Sequence, residues 1–261
     1  MKKIILTLSI FVSTPIFANS FCDTATQSIN QDAANYWQYG SYGENYDQDL
    51  YDQYYDIFEK NLKSTLSDNQ SWSCDWKDVS GINIHFSPDQ KLRSFTWDIG
   101  NSGTLHEFAT LVQIQNKQGN VKLIENIANQ DDGIPAMSKI SQMNLPNQDS
   151  PIYLLHHFFI GSSRLHAQSI ALVKLQNDEI VPANIIKTSK LKNSLNFEYS
   201  TMDIDQVYND DEDTFIQVDS KKMQISIPVV LDTAQSNHMG YVSKNRIIYQ
   251  YDGHLFQRVK N

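Results

Sequence analysis

The chain is poor in cysteine, glycine, proline and basic residues, and each scarcity narrows the class of protein. Its 261 residues include two cysteines, ten glycines and seven prolines. This composition excludes a collagen-like or low-complexity chain and a dense disulfide scaffold. There are 21 Lys and Arg residues against 30 Asp and Glu, which gives a formal net charge of −9. Because a nucleic-acid-binding protein needs a basic surface to neutralise phosphates, we expect no nucleic-acid partner.

A long apolar run is found only at the N-terminus, where residues 1–18 read MKKIILTLSIFVSTPIFA. Two lysines followed by a short apolar stretch and the small residue Ala18 are typical of a secretory signal peptide. We expect cleavage after Ala18, with Ser20 as the alternative. The stretch is shorter than the roughly 20 apolar residues that a membrane span needs. The sequence therefore predicts a periplasmic or secreted protein that does not insert into a membrane once the signal is removed.

The two cysteines, Cys22 and Cys74, take their meaning from this predicted export. In an oxidising compartment a lone pair of cysteines is expected to form a disulfide. The bond would close a loop of about 50 residues and stabilise the fold by roughly 4 kcal/mol. A catalytic thiol is the alternative, but the chain has no Cys-x-x-Cys pair and Cys22 lies close to the mature terminus.

Residues 19–80 are predicted to form a helical segment. Asp23 is the expected N-cap of a first helix, and Gly40 and Gly43 are expected to end it. A second helix is predicted from near Asn45 to Leu66, because apolar residues recur there at helical spacing. The residues predicted to form its core face are Leu50, Tyr54, Ile57, Phe58, Leu62 and Leu66.

Residues 81–261 are predicted to form an antiparallel β-domain, since short apolar stretches alternate there with turn residues. Asp252-Gly253 is the strongest hairpin signal, and residues 129–150 are expected to form an exposed loop. The predicted strands cover residues 82–86, 91–97, 105–115, 121–125, 152–160, 166–175, 180–186, 195–199, 215–218, 223–230, 246–251 and 254–259. The expected fold class is thus α+β, with helices packed on a sandwich or a barrel, and with an incomplete propeller as a third architecture.

Two motifs carry a resemblance to a group of proteins. The stretch 87–98, SPDQKLRSFTWD, is followed by NSGTLH at 101–106, and a second motif, GSSR, begins at Gly161. These stretches resemble a pattern in uncharacterised secreted bacterial proteins, in which a helical start precedes a β-domain with Trp-Asp, Gly-Thr and Gly-Ser-Ser motifs. The resemblance implies an exported location and this fold, and it assigns an activity to no residue.

The motifs of catalysis and metal binding are incomplete in this chain. His106-Glu107 lacks the second histidine of a zinc-protease helix, and His156 and His157 are expected to point to opposite faces of a strand. His157 and His166 would supply only two ligands across a turn. The acidic run at residues 203–213 lacks the glycine and final glutamate of an EF-hand loop, which favours a solvated loop. We therefore expect no metal, no cofactor and no catalytic residue.

The most unusual segment is acidic and rich in tyrosine. Residues 19–59 contain eight acidic residues and no Lys or Arg, and seven of the 13 tyrosines lie at residues 36–55. Tyrosine is enriched at interfaces, and surrounding acid steers a cationic partner. Two alternatives remain: the rings seat the helices on the β-domain, or they stack on a glycan.

The sequence as a whole favours a non-enzymatic binding protein, such as an inhibitor or immunity-type antagonist of a basic exported protein. The residues predicted to contact a cationic partner are Asp49, Tyr51, Asp52, Tyr55 and Asp56. One alternative is a cell-wall hydrolase or glycan-binding protein that uses two carboxylates of the β-domain. Another is a structural envelope protein. The sequence gives no prediction of the oligomeric state.

Overall fold

The computed structural model describes residues 16–125, 136–201, 215–232 and 240–259, so most of the predicted signal peptide lies outside the described residues. Two helices, α1 (Ile16–Tyr39) and α2 (Gln48–Ser67), precede a short 3-10 helix, Asn69–Ser73. The strands are β1 (Asn83–Phe86), β2 (Leu92–Asp98), β3 (Phe108–Gln115), β4 (Val121–Glu125), β5 (Ala136–Met143), β6 (Ile152–Ile160), β7 (Leu165–Gln176), β8 (Glu179–Pro182), β9 (Ile186–Lys187), β10 (Leu191–Lys192), β11 (Ser194–Ser200), β12 (Gln217–Asp219), β13 (Gln224–Leu231), β14 (Tyr241–Tyr251) and β15 (Phe256–Arg258).

The strands form three sheets, and the predicted α+β class is confirmed. Sheet A has the order β1-β2-β3-β4. Sheet B has the order β11-β7-β6-β5, with β8 also paired to β7. Sheet C has the order β10-β9-β15-β14-β13-β12, and its β9–β15 pair is parallel, whereas the other described pairs are antiparallel.

The helices and sheets pack as successive layers, with the helices on sheet A, sheet A on sheet B, and sheet B on sheet C. The first core contains α1, α2 and residues such as Phe95 and Trp97 of β2. The second joins Leu92 of β2 to Leu155 of β6. The third joins Leu154 of β6 to sheet C. Each of the described sheets is open, with two edge strands.

The inner strands β2 and β6 are buried on both faces, although only β6 is a mainly apolar run and β2 also buries the polar side chains Arg93, Ser94 and Thr96. Alternate residues of a strand point to opposite sides. On β2, Phe95 and Trp97 therefore face the helices while Leu92 faces sheet B. On β6, Leu155 faces sheet A and Leu154 faces sheet C.

Helix α1 begins earlier than the sequence predicts, so the prediction of Asp23 as its N-cap is wrong. The helix starts at Ile16, and Asp23 lies in its second turn and is exposed. The reason is that residues 16–22 contain no glycine or proline to stop a helix from extending toward the N-terminus. The predicted break after α1 is confirmed, and a Cβ on Gly43 would lie 2.2 Å from the carbonyl oxygen of Gln38.

Helix α2 is rotated relative to its predicted core face. It begins at Gln48, where the Asp47 carboxylate caps it by accepting a hydrogen bond of 3.1 Å from Leu50 N. Ile57 was predicted to be buried, but its side chain is 40% exposed. Tyr51 takes an inner position and is only 3% exposed. The rotation follows from polar satisfaction, because the Tyr51 hydroxyl meets a backbone acceptor in sheet A.

Strand β5 lies in the segment predicted as an exposed loop, residues 129–150, and that prediction is wrong for the described part. Ala136, Met137, Ile140 and Met143 are buried between the sheets. The pairing of β5 with β6 shifts register between Met137 and Lys139. Such a bulge breaks the period of two by which a strand is recognised in sequence.

Two further strand predictions differ in detail. The stretch predicted as one strand at residues 180–186 is divided into β8, which pairs in sheet B, and β9, which pairs in sheet C. The stretch predicted from residue 105 starts as a strand only at Phe108. The predicted hairpin at Asp252-Gly253 is confirmed, because β14 and β15 pair across it from Tyr251 to Phe256.

A disulfide closes the helical layer on itself, and a buried arginine attaches this layer to sheet A. The predicted disulfide between Cys22 of α1 and Cys74 is confirmed, with its sulfur atoms 2.08 Å apart. Arg93 of β2 is buried below the ring of Trp72, 3.9 Å from the ring centre, and it donates to the carbonyl oxygens of Ser71, Trp72 and Cys74. These contacts hold the 3-10 helix against the sheet.

Replacing both cysteines tests how much the disulfide stabilises this arrangement. The two cysteines are 52 residues apart, and closure of a loop of that length stabilises a fold by about 4 kcal/mol. We expect Cys22→Ser/Cys74→Ser to lower the free energy of unfolding in urea by about that amount. Reduction of the wild type with dithiothreitol should reproduce the loss and leave the variant unaffected. Equal stability of the variant and the oxidised wild type would contradict the prediction.

Candidate functional site: the acidic aromatic face

One side of α2 carries a stripe of free carboxylates. Asp49, Asp52 and Asp56 are spaced by three and four residues, which places them on one side of a helix, and all three are exposed. Asp52 accepts a hydrogen bond of 2.7 Å from the side-chain amide of Gln48. Within the described parts of the chain, none of the three carboxylates forms an ion pair. The predicted exposure of these acids is therefore observed.

Charge is distributed unevenly between the layers. Residues 20–80, which form the helical layer, contain 11 acidic and three basic residues. The described residues from Ala136 onward, which form sheets B and C, contain seven acidic and 11 basic residues. The helical layer is thus the electronegative side of the described molecule.

Exposed rings lie at the end of α1 and in the connection to α2, and one of them, Tyr46, donates a hydrogen bond to Gln48, which in turn donates to Asp52 of the stripe. The side chains of Trp37, Tyr42 and Tyr46 are 41%, 39% and 62% exposed. The centres of the Trp37 and Tyr42 rings are 5.8 Å apart, and Tyr42 stacks on the imidazole of His106 at 5.2 Å with an angle of 11° between the rings. We call these three exposed rings and the stripe of Asp49, Asp52 and Asp56 the acidic aromatic face.

Three tyrosine hydroxyls of the same segment, two of them on internal rings, bind the loop that supports the exposed rings. Tyr36 donates a hydrogen bond of 3.1 Å to the carbonyl oxygen of Asp98, and Tyr51 donates one of 2.7 Å to that of Ile99. The hydroxyl of Tyr42 donates to the carbonyl oxygen of Gly103. Burial raises the pKa of Tyr36 and of Tyr51 well above the usual range, so both hydroxyls keep their protons even at alkaline pH values where an exposed tyrosine ionises.

The supported loop, residues 98–107, has its own internal order. Asp98 accepts a hydrogen bond of 2.7 Å from Gly100 N through one carboxylate oxygen, and its other oxygen lies 2.5 Å from His106 Nδ1. Gly100 has a φ of +78°, and a Cβ there would approach the Trp37 ring to 3.1 Å. Glycine is therefore required both by the backbone conformation and by the ring packed on it.

The five residues predicted to contact a partner divide into two groups. The aspartates 49, 52 and 56 are exposed, whereas Tyr51 is buried and Tyr55 is half-buried. The hydroxyl of Tyr55 accepts a hydrogen bond of 3.3 Å from Trp97 Nε1, and burial raises its pKa to about 12. These two rings pack the helices on sheet A, which is the alternative role that the sequence left open for the tyrosines.

The exposed rings and their supporting loop were not among the predicted site residues. A signal for Tyr42 and Tyr46 exists in the sequence, because both lie in the glycine-containing connection between the helices. The loop lies within the stretch that carries the family resemblance, but its contact with the tyrosines depends on pairing of β2 with β3, which sequence spacing does not reveal.

The histidines that the sequence offers as metal ligands do not form a group of three in the described residues. No group of three or more His, Cys, Asp or Glu side chains there is arranged to hold a metal ion. His157 lies opposite Ser169 and His166 opposite Ile160, so these two histidines are not paired. The acidic run at residues 203–213 lies outside the described residues. Neither α1 nor α2 as described is long and apolar enough to cross a membrane.

Comparisons with known proteins found no matching family model, no matching curated protein and no matching solved structure. The resemblance to secreted bacterial proteins with a β-domain therefore stays a prediction.

Removing single hydroxyl groups shows whether internal tyrosines contribute more to the stability of the fold than exposed ones. Tyr51→Phe leaves the Ile99 carbonyl without its donor, and we expect the free energy of unfolding to fall by about 1–2 kcal/mol. Tyr46→Phe, the matched control, removes a hydroxyl that meets only the exposed Gln48 side chain and should change stability by less than about 0.5 kcal/mol. Urea unfolding followed by tryptophan fluorescence measures both. If Tyr51→Phe left the free energy of unfolding unchanged, the hydrogen bond from Tyr51 to Ile99 would not hold the loop.

The internal tyrosines also predict a loss of stability at alkaline pH. Burial raises the pKa of Tyr36 and Tyr51 in the folded protein above their usual value of 10.0. Above pH 10 the unfolded chain therefore releases these protons while the folded protein retains them. We expect the contribution of these two tyrosines to the free energy of unfolding to be constant below pH 10 and to fall above it, by up to about 1.4 kcal/mol per pH unit for each tyrosine. Urea unfolding at pH 8, 10 and 11 measures the slope, and Tyr51→Phe should show a shallower one.

Proposed function

We propose that this protein is a non-enzymatic binding protein of the periplasm or the extracellular space that captures a cationic protein on the acidic aromatic face. An inhibitor or immunity-type antagonist of a basic exported protein is the role that fits this chemistry. The observation that carries the proposal is the stripe of Asp49, Asp52 and Asp56, three exposed carboxylates without a basic partner in the described chain.

The charge of the stripe supports a cationic partner for a physical reason. Exposed carboxylates of one sign create a potential that attracts positive groups and raises the rate of association. The helical layer has 11 acidic residues against three basic ones, so the field of the stripe is reinforced by its surroundings. Lysine- and arginine-rich surfaces are the complementary chemistry.

The exposed rings support a protein partner in particular. Trp37, Tyr42 and Tyr46 supply large contact areas with few rotatable bonds, and aromatic side chains are enriched at protein interfaces. An arginine guanidinium also stacks on an aromatic face. Tyr42 is held by Gly103 and His106, so its ring is ordered before a partner arrives. Such preorganisation lowers the entropic cost of association.

The exported location belongs to the same proposal. The signal-like composition of residues 1–18 supports it. The Cys22–Cys74 disulfide also supports it, because such bonds persist in oxidising compartments and are rare in the cytosol.

Neutralising the stripe tests the proposed function. The variant is Asp49→Asn/Asp52→Asn/Asp56→Asn, and the matched control is Asp149→Asn/Glu179→Gln/Glu198→Gln, which removes three exposed carboxylates from sheets B and C or their loops. Each immobilised protein is used to enrich partners from an extract of exported proteins, and the recovered partner is then purified for kinetic measurement. We expect the recovered partner to be a basic protein. Its rate of association with the stripe variant at low salt should be about tenfold or more below its rate of association with the wild type.

The control variant and a test with purified peptidoglycan distinguish the proposed function from its alternatives. The control variant should bind the partner at the wild-type rate, and added salt should weaken wild-type binding. Equal capture by the wild type and the stripe variant would contradict the proposal. Retention on purified peptidoglycan, or its turnover, would instead favour the glycan-binding or hydrolase alternative.

A further inference from the structure

A cavity opens beside sheet B on the side that faces sheet C, so sheets A and B separate it from the helical layer. Its volume is about 260 Å³, and Lys139, His156, Gln168 and Ile216 contribute to its lining. Drug-sized ligands usually occupy pockets of about 300–1,000 Å³, so this cavity suits a small molecule or the end group of a larger one.

The bulge of β5 places the polar side chains of this cavity. Ser138 is the extra residue of the bulge, and Lys139 lies directly opposite His156 of β6. Two residues further along β5, on the same side, the Ser141 hydroxyl and His156 Nε2 share a hydrogen bond of 3.0 Å. The imidazole is therefore held in place, and bulges of this kind are over-represented beside binding sites.

The charge in this cavity is positive, although the protein as a whole is acidic. Among the described residues, no Asp or Glu side chain lines the cavity and Lys139 forms no ion pair. His156 is 7% exposed. Its burial, together with the nearby charge of Lys139, lowers its pKa to about 3, so the imidazole is neutral at physiological pH. The cavity thus offers the ammonium group of Lys139, the fixed imidazole of His156 and the amide of Gln168, and His157 also contributes to its lining.

We propose that this cavity binds a small oxyanion, a carboxylate or phosphate group, with Lys139 as its charge partner and His156 and Gln168 as neutral polar contacts. An ammonium group beside a buried polar wall provides charge-assisted hydrogen bonds to an anionic oxygen. The site lies outside the acidic aromatic face, so it is independent of the proposed function.

Anion titrations of the full mature chain test this site. Histidine-labelled protein is titrated at pH 7 and constant ionic strength with sodium phosphate in one series and sodium acetate in another, and the His156 resonance is followed by NMR. We expect a saturable shift with at least one anion, and the anion that binds more tightly identifies the class. Lys139→Met should weaken binding tenfold or more.

A matched lysine variant separates a specific site from general charge. Lys192→Met removes an exposed lysine from β10 and should leave the titration unchanged. The proposal is overturned if neither anion shifts the His156 resonance, if the shift does not saturate, or if the two lysine variants weaken it equally.

Discussion

The architecture depends on burial of strand β2 from both sides. One face of this strand receives the helices through Phe95 and Trp97, and the other faces sheet B through Leu92. An inner strand of this kind contributes to two cores, and burying a large apolar side chain contributes about 1.5–3 kcal/mol. The acidic helices are thereby attached to a neutral inner sheet, with the disulfide and Arg93 fastening the end of the helical segment. The exposed carboxylates of α2 consequently lie on the outside of a well-anchored layer.

The tyrosines of the helical segment perform two roles that depend on each other. A buried phenol must donate its hydrogen bond, since an unsatisfied buried polar group costs about 1–3 kcal/mol. Tyr36 and Tyr51 find their acceptors in the loop that follows β2. The ordered loop in turn supports Trp37 through Gly100 and Tyr42 through His106. Internal packing and an exposed aromatic surface are therefore not alternatives here, because the internal rings hold in place the loop on which the exposed rings rest.

The sequence predicts those features that depend on local pattern, and it is wrong where tertiary contacts decide. The fold class, the Cys22–Cys74 bond and the Asp252-Gly253 hairpin follow from composition and turn chemistry. The exposure of three aspartates follows from helical spacing. The sequence does not predict that Tyr51 is buried while Ile57 is exposed. Hydropathy scales rank isoleucine as more apolar than tyrosine, and they do not account for the Ile99 carbonyl oxygen that accepts the hydrogen bond of the Tyr51 hydroxyl. Strand β5 was missed because its bulge, which also creates the candidate anion cavity, disrupts the alternation that reveals a strand.

The layered order separates the acidic aromatic face, for which we propose a cationic partner, from the cavity, for which we propose an anion. Stacked sheets lie about 10 Å apart, and sheets A and B both stand between the helical layer and the cavity. The Debye length at physiological ionic strength is about 8 Å. The field of the carboxylate stripe is therefore largely screened at the mouth of the cavity, where Lys139 supplies the local positive charge. At low ionic strength the screening weakens, so the two sites should influence each other only under those conditions.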